Sequence, residues 1–191
     1  MSTGQQLRSM AVYCGSATVA DPIYDEAAVC LAKLMAANHI ALIYGGSDIG
    51  TMKVLADAML AAGGHVVGVF TQSLHREQLH VKLSETVVVE NLAARKAEMI
   101  RRADALVALP GGFGTLDELF DAIALRKMFQ GGHRKPIALL NVKGYYDPLL
   151  AFLVHAMEVG YIVTADEDLL LTAEGPAELL ATLRLHSIPK H

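Results

Sequence analysis

A chain of 191 residues is long enough to bury a continuous core within one domain. Its residues are 53% hydrophobic and only 19% charged, apolar enough to predict that part of the surface is covered by a second copy of the chain. The net charge of −4 excludes a basic nucleic-acid footprint but leaves room for a small anion held by backbone amides.

Residues 10–14 read as an apolar strand ending in Gly15-Ser16. A helix follows over 22–37, with Ala27, Ala28, Leu31, Leu34 and Met35 at helical spacing. The strand over 40–44 ends in Gly45-Gly46-Ser47. The helix over 50–62 carries Met52, Leu55, Ala56 and Met59 on one face and stops at Gly63-Gly64. A strand over 66–70 leads into a polar loop, 71–84, containing His75, Arg76, Glu77 and His80. Its composition predicts a solvated loop, with the option of a lid. A short strand over 87–89, a helix over 91–103 and a strand over 105–109 come next. Then follow a helix over 115–129, a strand over 137–140, a helix over 145–159 opened by Tyr145, Tyr146 and Asp147, and a last helix over 176–185.

Strands that are apolar throughout and separated by helices predict a mainly parallel sheet covered on both faces. The expected architecture is α/β: a doubly wound, Rossmann-like three-layer sandwich, one domain over 1–191, without linker, repeat or low-complexity segment. The polar stretch 1–9 lacks the apolar core of a signal peptide, and no apolar run reaches membrane-spanning length. Cys14 and Cys30 form no CxxC pair, so neither a zinc knuckle nor a disulfide framework is supported. The expectation is a cytoplasmic protein with no nucleic-acid or membrane partner.

In doubly wound folds ligands lie beyond the carboxyl ends of the strands. Three turns at that edge are glycine-rich: Cys14-Gly15-Ser16, Gly45-Gly46-Ser47, and the segment from Pro110 to Gly114. Glycine lets the backbone approach a ligand and aim amides at it, and a helix N-terminus adds partial positive charge, so phosphate is the natural guest. Neither GxGxxG nor GxxxxGK[ST] is present. The run Pro110-Gly111-Gly112-Phe113-Gly114-Thr115-Leu116-Asp117-Glu118 admits two compatible readings. With Thr115 as N-cap, Glu118 stands at the third helical position and Thr-x-x-Glu is a capping box. Alternatively, glycines, threonine and acids at the mouth of a phosphate site face the ligand.

Arg95 and Lys96 are the second feature. The helix over 91–103 has its apolar stripe at Leu92, Met99, Ile100 and Ala103, and both cations fall inside it, near the positive end of the helix dipole. Either they snorkel over apolar surface or they meet an anion. Arg101 and Arg102 are ordinary C-terminal charges, Arg102 lying i,i+4 from Glu98. The helix over 115–129 is apolar on more than one face, through Phe120, Ile123, Leu125, Met128 and Phe129, which predicts core plus a subunit interface.

With these segments in hand, the chain resembles the LOG ("lonely guy") family of cytokinin riboside 5′-monophosphate phosphoribohydrolases, many of them once labelled possible lysine decarboxylases. The resemblance runs from Cys14-Gly15-Ser16 through Tyr44-Gly45-Gly46 and Arg95-Lys96 to Asn141-Val142-Lys143-Gly144-Tyr145-Tyr146-Asp147. Its most specific element is the 110–118 run, which matches PGGxGTxxE at every fixed position. No pyridoxal-lysine context supports the decarboxylase label.

The resemblance implies hydrolysis of the N-glycosidic bond of an adenosine-type 5′-monophosphate, giving free base and ribose 5-phosphate, with no metal or organic cofactor and a homodimer or higher homo-oligomer. It maps catalysis onto Arg95 and Glu118 and substrate binding onto Gly111, Gly112, Phe113, Gly114, Thr115, Leu116 and Asp117. Lys96, Glu77 and the turns at Gly15, Ser16, Gly45 and Gly46 join the binding set. Three departures surround the base: Ala93-Ala94 replaces His-Glu, Gly45-Gly46-Ser47 lacks a third glycine, and Ala124-Leu125-Arg126-Lys127 stands where plant-like members have Thr-Trp-Ala-Gln. AMP, a prenylated AMP or another nucleotide remain open as substrate. A broad salvage nucleosidase and a non-catalytic nucleotide carrier are the alternatives.

Overall fold

Consecutive side chains of the central strands alternate between two apolar layers, as a sheet buried on both faces requires. On β1 (Ser9–Tyr13), Met10 and Val12 enter one layer while Ala11 and Tyr13 enter the other. A computed structural model of the chain describes residues 7–72, 79–80, 82–128, 135–163 and 169–186. After β1 come α1 (Ile23–Ala37), β2 (Ala41–Tyr44), α2 (Gly50–Ala61), β3 (Val66–Thr71) and β4 (Glu85–Val89). The second half holds α3 (Leu92–Arg102), β5 (Ala105–Ala108), α4 (Phe113–Met128), β6 (Ile137–Leu140), α5 (Asp147–Glu158), β7 (Leu171–Ala173) and α6 (Pro176–His186).

The seven strands form one parallel sheet in the order β4-β3-β2-β1-β5-β6-β7. One layer gathers residues of α1, α2 and α6 against the sheet, and the other gathers Met99, Ile100, Leu119 and Ala122 from α3 and α4. The expected three-layer, doubly wound sandwich is therefore the observed one. Chain order reverses direction between β2 and β5, on either side of β1. That reversal puts the glycine turns after β1, β2 and β5 side by side.

Three local expectations need correction. Strand β7 was absent from the sequence reading; it has three residues, of which Ala173 is buried, too short to leave a periodic pattern. The 145–159 helix begins later, at Asp147, because a 3₁₀ turn over Val142–Gly144 intervenes, with Lys143 and Gly144 in the left-handed region at φ 54° and 69°. The third, α4, bears on the site. It starts at Phe113, the N–H of Leu116 donating to the Gly112 carbonyl at 3.1 Å, so Thr115 lies inside the first turn. The Thr115 hydroxyl is buried and bonds to nothing among the described residues, and the Thr-x-x-Glu capping box is not formed.

Candidate active site

Helix α3 opens on Asn91, whose side chain accepts the Ala94 N–H at 2.9 Å, and this cap fixes the turn that carries Arg95 and Lys96. Neither cation snorkels. Arg95 extends over the end of β3, where its Nε donates to the Val69 carbonyl at 3.0 Å, and its guanidinium meets Glu118 of α4 at 3.2 Å. Both side chains of this pair are largely buried, at 15% and 11% exposure. Gly45 makes the arrangement possible, because a Cβ at that position would collide with the Arg95 guanidinium.

Burial raises the Glu118 carboxyl to about 7, against an opposing pull from Arg95. Such a group exchanges a proton near neutral pH, the property required of a general base. Tyr13, at the end of β1, also has a buried hydroxyl without a partner among the described residues. Its pKa is raised by burial and then by the Glu118 carboxylate, and Cys14 responds in the same way.

Lys96 turns to the neighbouring face of α4. Its Nζ lies 3.1 Å from both carboxylate oxygens of Asp117 and 3.5 Å from Asp121. Burial opposes its charge, but the bonds and fields of Asp117 and Asp121 outweigh that and raise its pKa above the ordinary lysine value. Two residues singled out in the sequence thus hold each other, and Asp121, missed there, was detectable from its i+4 spacing to Asp117.

The turns interlock. The bare Cα of Gly111 packs against the Gly15 backbone and the Thr115 side chain, so a side chain there has no space. Ser16 is exposed, and its backbone abuts Gly50 at the start of α2. Gly46, at φ 79°, lies against the Phe70 ring. Gly112 and Gly114 face open space, Leu116 packs on the core, and Phe113 is 93% exposed. The first amides of α4 have no intrahelical acceptors and emerge at Gly112–Thr115, beside the Arg95–Glu118 pair.

Glu77, with His75 and Arg76, lies outside the described residues. His80 corrects the expectation of a solvated loop: it is buried, its ring nitrogen lies 3.0 Å from Asp57, and its N–H donates to the Gly46 carbonyl at 3.0 Å. Tyr145 and Tyr146 do not begin a helix. Their hydroxyls donate to the carbonyls of Gly111 (2.7 Å) and Leu109 (2.6 Å), contacts that no sequence periodicity signals.

The model of the family described as "Possible lysine decarboxylase" matches residues 52–183, spanning α2 to α6 and so both members of the buried pair. This chain is a member of that family, the LOG family. The probable cytokinin riboside 5′-monophosphate phosphoribohydrolase LOGL2 of Oryza sativa subsp. japonica is 41% identical to it over 192 residues, covering 100% of this chain and 78% of the relative. The cytokinin riboside 5′-monophosphate phosphoribohydrolase LOG2 of Arabidopsis thaliana is 37% identical, covering 99% and 88%. Among solved structures, this LOG-family chain superposes on the molybdenum cofactor binding protein of Rippkaea orientalis with a TM-score of 0.69 at 23% identity, covering 94% and 97%. At that identity the likeness speaks for the fold alone.

Proposed function

We propose that the chain, acting as one domain, hydrolyses the N-glycosidic bond of adenosine-type nucleoside 5′-monophosphates, cytokinin nucleotides and AMP among them. The products are the free base and ribose 5-phosphate. The observation that carries this reading is the buried Arg95–Glu118 pair, 3.2 Å apart, beside the glycine-rich N-terminus of α4. The names of relatives such as LOG2 support it.

The phosphate sits on the amides of Gly112–Thr115, where the helix dipole favours an anion. Opposite it, the ribosyl C–N bond breaks, its electron pair leaves with the base, and positive charge develops on the sugar. The Glu118 carboxylate stabilises that charge and takes a proton from the attacking water, whose oxygen bonds to C1′. The base takes up a proton from solvent as it departs, and Glu118 afterwards returns the proton taken from the water to solvent. Arg95 opposes the effect of burial, so Glu118 still ionises in the neutral range. A carrier that only bound nucleotide would need the amides but not the buried acid.

Among the described residues no helix is long and apolar enough to cross a membrane, and no group of three or more His, Cys, Asp or Glu could hold a metal ion. The free Cys14 and Cys30 suit a reducing, cytoplasmic setting. Exposed Phe113 and Phe120 on α4 and Leu92 on α3 support a homodimer. The test is incubation with AMP, isopentenyl-AMP, GMP and CMP, followed by chromatography of free base and ribose 5-phosphate. Release from the adenine nucleotides is expected. Tight binding with no base released from any of the four overturns the enzyme reading.

A further inference from the structure

The turn between β5 and α4 is the most permissive backbone in the site, since Pro110 offers no N–H and Gly111, Gly112 and Gly114 offer no side chains to anchor it. A peptide unit between two glycines can rotate at little cost, exchanging the directions of its carbonyl and its N–H. Packing restrains only one side of the Gly111–Gly112 unit, because Gly111 is wedged against Gly15 and Thr115 while Gly112 faces open space.

We propose that Tyr145 is a positioning residue that sets the orientation of the Gly111–Gly112 peptide and thereby aims the Gly112 N–H at the substrate phosphate. Its hydroxyl donates to the Gly111 carbonyl at 2.7 Å. In a trans peptide the carbonyl and the following N–H point in opposite directions. Holding the Gly111 oxygen toward Tyr145 therefore turns the Gly112 N–H the other way and keeps a carbonyl dipole from facing the anion. Tyr145 is itself fixed. Its ring meets Tyr24 and Tyr146 edge-on at centroid distances of 5.8 and 5.0 Å. Behind it, Asn141 accepts the Tyr146 N–H at 2.7 Å, and Tyr146 secures the Leu109 carbonyl from within the core. A lysine ion pair, Lys143 to Asp21 at 2.9 Å, closes the far side of the same turn.

The inference rests on the functional reading above, so its test separates the two. Ribose 5-phosphate is titrated calorimetrically into the wild type and Tyr145→Phe, at a temperature where circular dichroism reports both fully folded. The Gly112 amide is followed by NMR. Wild type is expected to bind with a marked shift of that amide. In Tyr145→Phe affinity falls about three- to tenfold, the loss of one hydrogen bond's influence, and the Gly112 shift shrinks. In turnover, KM rises by a similar factor while the midpoint of the pH profile stays in place, because Glu118 is untouched. Wild type that fails to bind ribose 5-phosphate removes the phosphate site at the start of α4, and this inference with it, while base release from AMP tests the hydrolysis separately. Wild type that binds, together with a variant of equal affinity and unchanged Gly112 shift, overturns the role of Tyr145 alone.

Discussion

Replacing Glu118 by glutamine should make the protein more stable and far less active. Burial lifts this carboxyl from 4.5 to about 7, so ionising it within the fold costs about 3 kcal/mol relative to ionising it in the unfolded chain. The sign follows from linkage. Because the folded pKa is the higher one, the group's favourable contribution is fully present below pH 4.5 and is lost as pH rises through about 7. Glutamine mimics the neutral acid at every pH and leaves Arg95 facing a polar neighbour. Glu118→Gln should therefore match wild type near pH 4.5 and exceed it by about 3 kcal/mol at pH 8, a rise of roughly 6–12 °C in Tm for a chain of this size. Urea unfolding at pH 4.5, 6 and 8 reads the free energies directly. The same variant should lose roughly 10²–10⁴ in kcat if the carboxylate acts as base. A variant no more stable than wild type at pH 8, or one whose advantage does not shrink on acidification, would refute the electrostatic argument.

Three further outcomes follow from the site geometry. Gly45→Ala places a methyl group where the Arg95 guanidinium lies; the fold should persist while kcat/KM falls about 100-fold, checked by initial rates beside a thermal melt. Thr115→Val removes a buried hydroxyl that bonds to nothing among the described residues, so the ligand-free protein should gain about 1 kcal/mol in urea while its affinity for ribose 5-phosphate drops. Phe113→Ala, at a side chain 93% exposed, should change stability by less than about 0.5 kcal/mol yet raise KM for AMP severalfold, as initial rates would report.

The layers of the fold were legible because the central strands are apolar on both faces and helices α1 and α2 space their apolar residues at helical intervals. Arg95 and Lys96 were legible for the opposite reason: they break the stripe of α3, and each proves to meet a carboxylate on α4. Long-range pairing was not legible. Thr115 looked like a cap because Thr-x-x-Glu is a local pattern, whereas α4 takes its first acceptor from Gly112. His80 falls in a loop that reads as polar from its composition as a whole, and only the fold brings it to Asp57 of α2. The tyrosines after β6 reach back across more than thirty residues to the glycine turn, and the turn before them holds Lys143 at a positive φ that nothing in its side chain announces.

The position of β1 at the middle of the sheet has a consequence for how the protein comes into being. Strand β1 joins the first four strands to the last three by pairing with β5, Met10 opposite Ala105, and Asp104 ties the same seam by accepting from Ser9, 95 residues away. Contacts so distant along the chain fold slowly. During synthesis the first half must wait with one edge of β1 unpaired, a template for wrong partners until β5 arrives. Neither half holds the whole candidate site: the turns after β1 and β2 come from one, Arg95, the glycine segment and Glu118 from the other. Closing that seam completes the sheet and, in the same event, assembles the site.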